Sequence, residues 1–209
     1  MMTFPTFNEE KVLWQKGFKA VAGIDEVGRG CFAGPVVTAS VVFPPFIVFS
    51  DPFFAFINDS KKVTEKRRVL LAEKIKEVAL SVSISESPVE RINILGIAKA
   101  TQESFLQTLK SHTVNPDFVL VDAFDVQGFE KTKQKPLIHG DSLSISIAAA
   151  SIVAKVYRDN LMKKLSLTVP EYGFDIHKGY GTLLHRQNIK KFGLSKFHRT
   201  SFSLSKYLQ

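Results

Sequence analysis

Two adjacent carboxylates, Asp25 and Glu26, stand inside an apolar stretch, AVAGIDEV, that leads into GRGCFAGP. A buried acid without a partner costs several kcal/mol, so such a pair needs a cation or hydrogen bonds unless it lies on a solvated strand end. Two further acids occupy places where α/β sheets commonly carry function. Asp122 closes the apolar run FVLV, and Asp141 comes just ahead of an alanine-rich helix. If all four converge, their hard oxygens select Mg2+ or Mn2+, and two such ions can stabilise the attacking and leaving oxygens of a phosphodiester displacement. Taken singly, Asp141 also reads as a helix N-cap and Asp122 as a solvated strand end.

Other chemistries find little support. Gly28 and Gly30 spell GxG, but the third glycine, Gly34, comes one place late for a dinucleotide fingerprint. The segment also feeds a β-rich run, and the acids precede the glycines. The chain has no GK[ST] phosphate loop, no HExxH and no GxSxG elbow.

Periodicity and turn residues predict the elements that must position these acids. Val21–Val27 reads as a strand and 36–43 as a second, joined through Gly34 and Pro35 in a hairpin. Phe46, Phe49, Phe53, Phe54 and Phe56 crowd a proline-broken loop, read as local packing rather than ligand stacking. Thr64 is placed to cap a helix reaching about residue 79, with Leu71, Ala72, Ile75, Val78 and Ala79 on one face. Leu80, Val82 and Ile84 alternate with serines, the period of a half-buried strand. Ser87, Pro88 and Glu90 predict a capping box for a helical region to about residue 111, which Gly96 interrupts.

Residues 118–121 form a continuous apolar strand, 136–139 a short one, and a helix runs from about 144 to 164. Strands interleaved with crossover helices predict an α/β sheet, its hairpin first and a parallel strand carrying Asp122. HKGYGTLLHRQNIKKFG reads as a glycine-rich loop and a helix that Gly193 ends, and a basic, polar tail follows.

The chain has 209 residues, enough to bury one substantial core, with a net charge of +8. A pI near 9.5 leans toward a polyanionic partner, a lean that charge alone cannot decide. Cys31 is the lone cysteine, which excludes an intramolecular disulfide or a Cys-based zinc site and fits a reducing compartment. The N-terminus lacks the basic flank and apolar core of a secretory signal, so the expected location is the cytoplasm. Residues 30–50 carry no charge, but Gly30, Gly34, Pro35, Pro44 and Pro45 would break a membrane helix.

Six blocks together resemble the bacterial ribonuclease HII family, type 2 ribonuclease H, nearly from end to end. They are GIDEVGRGCFAGPVV, NDSKKVTEKRR, FVLVDA, HGDSLSISIAAASIVAKVYRD, YGFDIHKGYGT and FHRTSF, in that order. The resemblance implies an RNase H-like mixed β-sheet flanked by helices, with a helical C-terminal portion that helps hold the duplex. Residues 1–181 would be the catalytic domain, and 182–209 a helix and tail packed on or beside it. It implies an endonuclease that cuts on the 5′ side of ribonucleotides in RNA/DNA hybrids and at single ribonucleotides in duplex DNA. The products would be a 3′-hydroxyl and a 5′-phosphate, and the protein a monomer serving DNA replication and repair.

Carried over, Asp25, Glu26, Asp122 and Asp141 would be the catalytic acids that hold Mn2+ or Mg2+. Gly28, Arg29 and Gly30 match a GRG segment whose main chain approaches the ribose 2′-hydroxyl, and GRG rather than GKG favours type 2 over type 3 enzymes. Glycine permits close approach, and a group that both donates and accepts tells RNA from DNA. Tyr180 matches a tyrosine that stacks on the deoxyribose after the ribonucleotide, with a core role as the alternative. Lys61, Lys155 and Arg158 would neutralise phosphates, although the last two also read as helix-surface cations.

Adjacent strand residues point to opposite faces, so Asp25 and Glu26 reach one ion only through a main-chain contact or a local twist. Three residues depart from the family pattern: Cys31 for proline, Ala123 for glycine and His139 for lysine. The rivals are a related RNase H-like nuclease, type 3 or resolvase-like, and a non-catalytic duplex-binding protein.

Overall fold

The computed structural model describes residues 4–61 and 63–208. Helix α1 (Asn8–Gln15) precedes strands β1 (Val21–Val27) and β2 (Val36–Val42), then α2 (Glu65–Val78), β3 (Ser81–Ser87) and α3 (Val89–Lys110). Strands β4 (Phe118–Asp122) and β5 (Gln134–Leu137) follow, and helices α4 (Ile145–Thr168), α5 (Phe174–His177) and α6 (Leu183–Phe192) complete the order.

The five strands form one mixed sheet in the order β3-β2-β1-β4-β5. The β1–β2 and β2–β3 pairs are antiparallel, whereas β4 runs parallel to β1, and β5 parallel to β4. The expected hairpin and the parallel strand carrying Asp122 are both present.

Alternation along β1 decides which helix each residue meets. Val21 and Val27 face the layer of α4 and α2, where Ile147, Ile152, Leu71 and Ile75 pack. Ala22 and Ile24 face Phe105 and Leu109 of α3. On the α4 face, a Cβ at Gly23 would lie 2.2 Å from the carbonyl carbon of Ser146, so only glycine lets α4 approach this closely. Residues 146–154 of α4 are all buried, and small Ser146, Ala148, Ala149, Ala150, Ser151 and Ala154 among them suit that short separation. Glu10 of α1 accepts from the Ser144 hydroxyl (2.6 Å) and the Ser146 amide (2.9 Å), an acid at the N-terminus of α4.

Local expectations needed correction in several places. Pro88 occupies the N-cap of α3 and no capping side-chain bond forms, because Ser87 is committed to β3. Thr64 is at the N-cap of α2, also without a side-chain bond. In β3 the serines are the buried residues: Ser81 and Ser83 face inward, while Leu80 is exposed and lies before the strand. On β2, Thr38, in register with Ser85, bonds Ser104 (2.7 Å) and Thr108 (2.6 Å) of α3, so small hydroxyls fill that contact. Gly96 does interrupt α3, with φ 76°. The phenylalanine loop packs on itself, with the rings of Phe49 and Phe54 stacked at 4.1 Å.

Candidate metal centre and nucleic-acid interface

Parallel pairing of β1 with β4 sets the first feature of the site. Ile24 is in register with Val121, so Asp25 and Asp122 are the next residues along the same edge of the sheet. Asp25 lies on the α4 face, buried, and its carboxylate turns back to accept the Glu26 amide at 2.7 Å. Glu26 lies on the opposite face, where Arg29 approaches to 3.5 Å. Asp141 occupies a 3-10 turn (Gly140–Ser142) rather than the N-cap of α4, which is Ser144. The Gly140 amide donates to Asp122 at 2.8 Å and ties that turn to β4.

These carboxylates feel one another. Burial pushes Asp25 well above the usual carboxylate range, and the charges of Glu26 and Asp122 push it further. Burial likewise lifts Glu26 to about 7, against the pull of Arg29, with Asp122 adding to the rise. Asp141 is raised by burial, then by Asp59 and Asp122, and Lys61 opposes this. The four predicted acids are therefore brought into one electrostatic neighbourhood, and Asp59 joins them. Among the described residues, no three acid, histidine or cysteine side chains meet closely enough to hold one ion as they stand. The donor set nevertheless fits a hard cation: all oxygen, in mutual repulsion, on both faces of β1.

Gly28, Arg29 and Gly30 follow directly. Gly28 has φ 92°, and a Cβ there would fall 2.1 Å from Nε of Arg158. The Arg29 guanidinium sits 4.7 Å over the ring of Phe124, at the mouth of a cleft of about 580 Å3 lined also by Lys99, Gln102 and Lys131.

Tyr180 lies partly exposed, with the ammonium of Lys155 5.7 Å from its ring centre. Lys155 is also paired with Asp159 at 2.7 Å, and Lys61 is exposed. Arg158 departs from its expected role. Its side chain has no exposure and donates to the carbonyls of Pro35 (2.9 Å), Ala33 (3.1 Å) and Lys178 (2.8 Å), so it cannot reach a phosphate.

Sequence reasoning gave no role to three groups that the fold brings here. Asp59, in NDSKK, is one. Arg199, in FHRTSF, is wholly buried and bonds the carbonyls of Gly28, Arg29 and Gly34. A histidine cluster is the third, and its neutral form fixes the tautomers. The Ser195 amide donates to Nδ1 of His198 (2.9 Å), so Nε2 of His198 carries the proton and donates to Nε2 of His185 (3.1 Å). His185 then donates from Nδ1 to the Tyr180 carbonyl at 2.9 Å. His177 stacks on His185 at 4.2 Å. Burial lowers both His185 and His198 to about 4. The blocks HKGYGT and FHRTSF hold His177, His198 and Arg199, and His185 follows in LLHRQ, but nothing in these segments marks a histidine or arginine as buried.

Among the described residues, no helix is long and apolar enough to cross a membrane. The ribonuclease HII family model matches residues 22–205. Ribonuclease HII of Dehalococcoides mccartyi is 42% identical over 199 residues, covering 95% of this chain and 93% of the relative. That of Chlamydia trachomatis serovar D is 45% identical over 201 residues, covering 93% and 89%. Among solved structures, ribonuclease HII in the PCNA:RNase HII complex from Archaeoglobus fulgidus superposes with a TM-score of 0.72 at 25% identity, covering 90% of this chain and 97% of that one. With the mixed sheet and the acids at adjacent strand ends already in place, these matches show that the chain belongs to the ribonuclease HII family, hydrolases that act as endonucleases of the ribonuclease H type.

Proposed function

We propose that this protein hydrolyses the phosphodiester on the 5′ side of a ribonucleotide, both in RNA/DNA hybrids and at single ribonucleotides embedded in duplex DNA, leaving a 3′-hydroxyl and a 5′-phosphate. The observation that carries this reading is the gathering of Asp25, Glu26, Asp122 and Asp141 around the ends of β1 and β4, where burial and neighbouring acids raise Asp25, Glu26 and Asp141 despite Arg29 and Lys61. Buried acids whose charged form is disfavoured gain most from a divalent cation, and Mn2+ or Mg2+ suits their oxygens. When bound, a pair of such ions stabilises the attacking and leaving oxygens of the displacement.

The chain's own residues supply position and selectivity. The GRG main chain stands beside the acids and offers backbone groups to a ribose 2′-hydroxyl. Tyr180 offers a ring face to the following sugar, and Lys155 and Lys61 offer cations to phosphates. Helix α6, with Lys190 and Lys191 in its last turn, offers a basic surface to the duplex.

The test is a duplex bearing one ribonucleotide, incubated with the protein and Mg2+ or Mn2+, beside an all-DNA duplex of the same sequence. Cleavage 5′ to the ribonucleotide alone is expected. An intact ribonucleotide strand with folded protein would reject the activity, and equal cutting of both duplexes would reject the selectivity.

A further inference from the structure

The loop between β1 and β2 rests on two buried guanidiniums. Arg199 donates from Nη2 to the carbonyls of Gly28 (2.7 Å) and Gly34 (2.8 Å), from Nε to Gly34 (3.0 Å) and from Nη1 to Arg29 (2.8 Å). Arg158 holds Ala33, Pro35 and Lys178 in the same way. Neither makes a salt bridge with a carboxylate among the described residues; their charge is met by main-chain dipoles.

That grip fixes the direction of the peptide groups. Among the described residues there is no cis peptide, and in a trans peptide the N–H points opposite to the C=O. With the carbonyls of Gly28 and Arg29 drawn in toward Arg199, the amides of Arg29 and Gly30 point outward. Among the described residues, neither amide donates a hydrogen bond within the protein, and the space beside Gly30 is open to 4 Å. A carbonyl bonded to a cation also polarises its own peptide and strengthens the N–H as a donor.

We propose that Arg199, supported by Arg158, is the positioning residue for sugar recognition, turning the Arg29 and Gly30 amides into two outward donors for the 2′-hydroxyl oxygen of the ribonucleotide. The inference rests on the function proposed above and deepens it. It makes a residue at the far end of the chain responsible for RNA-versus-DNA selectivity without touching the substrate. A lysine cannot substitute, because one ammonium lacks the planar fork that spans three carbonyls.

The experiment compares Arg199→Lys with the parent chain, both carrying Asp122→Asn so that binding is read without cutting. Dissociation constants are measured for the one-ribonucleotide duplex and its all-DNA counterpart. The parent is expected to prefer the ribonucleotide duplex on the order of tenfold, the size of one to two hydrogen bonds. Arg199→Lys should bring that ratio near one and leave the all-DNA constant unchanged. A ratio retained in Arg199→Lys, or no preference in the parent, overturns the proposal. If Arg199→Lys fails to fold by thermal melting, amide NMR on the parent decides. The Arg29 and Gly30 protons should shift on adding the ribonucleotide duplex but not the all-DNA duplex, and their indifference overturns the proposal. Failure of the wild-type chain to cut the ribonucleotide duplex would instead reject the function itself.

Discussion

Two groups of buried charge flank the turn after β1, and they are satisfied in opposite ways. Beneath it, Arg158 and Arg199 have no acid partner among the described residues, yet between them they donate seven hydrogen bonds to carbonyls. Beside it, Asp25 and Glu26 have few donors, and each raises its neighbour's pKa or has its own raised by Asp122. The arginine side is complete as folded. The acid side is held in unfavourable electrostatics by packing around it, which is how a site that awaits a charged ligand differs from a structural network.

The sharpest way to break this comparison is Asp122→Asn. Asparagine still accepts from the Gly140 amide but removes one negative charge. Cleavage is expected to fall on the order of a thousandfold, several kcal/mol of lost transition-state stabilisation, with duplex binding retained. Thermal stability should rise, by up to about 1 kcal/mol, because Asp25 and Glu26 are relieved of repulsion. A variant that is both inactive and less stable would show the acids to be a structural network after all.

Arg158→Met probes the other side. Stripping three carbonyls of a buried cation is expected to cost about 3–5 kcal/mol, read by denaturant unfolding. If Arg158 were instead a phosphate contact, stability would hold and the salt dependence of duplex binding would weaken by about one counterion.

The histidines give a smaller, pH-dependent effect. His185 and His198 fall to about 4 when folded, below the value near 6.5 of a free imidazole. The unfolded chain therefore binds more protons between those values, so their contribution is fully present above pH 6.5 and is lost as pH falls toward 4. Ring resonances that titrate near 6.5 in the folded protein would contradict the neutral relay to Tyr180.

The smallest expected effect concerns Ala123, which has φ 68° directly after Asp122. Ala123→Gly should stabilise the fold by about 0.5–1 kcal/mol by removing the left-handed strain on a Cβ. A loss of stability would mean that the methyl packs usefully.

That last residue shows where sequence reading reached its limit. Ala123 departs from the glycine of the family pattern, but its positive φ is a property of the folded loop. The strands and helices were legible because their apolar periods are local. The period of β3 marks Val82 and Ile84, which do pack against the core, but gives no sign that Ser81, Ser83 and Ser87 are buried on the other face, because an apolar scale reads serine as solvent-facing. The capping box at Ser87 failed because strand pairing with β2 claimed the same residue.

The sequence by itself determined the chemistry: which carboxylates exist, that their oxygens suit hard cations, that GRG permits close approach of a main chain, and which family the blocks resemble. Tertiary structure decided which charges are matched. Arg158 and Lys155 lie three residues apart on one helix, yet one is locked under the GRG turn by carbonyls and the other is paired with Asp159 beside Tyr180. Arg199 reaches Gly28 across 171 positions of sequence. Whether a charge is spent inside the protein or left for a ligand depends on burial and on partners distant along the chain, and residue type encodes neither.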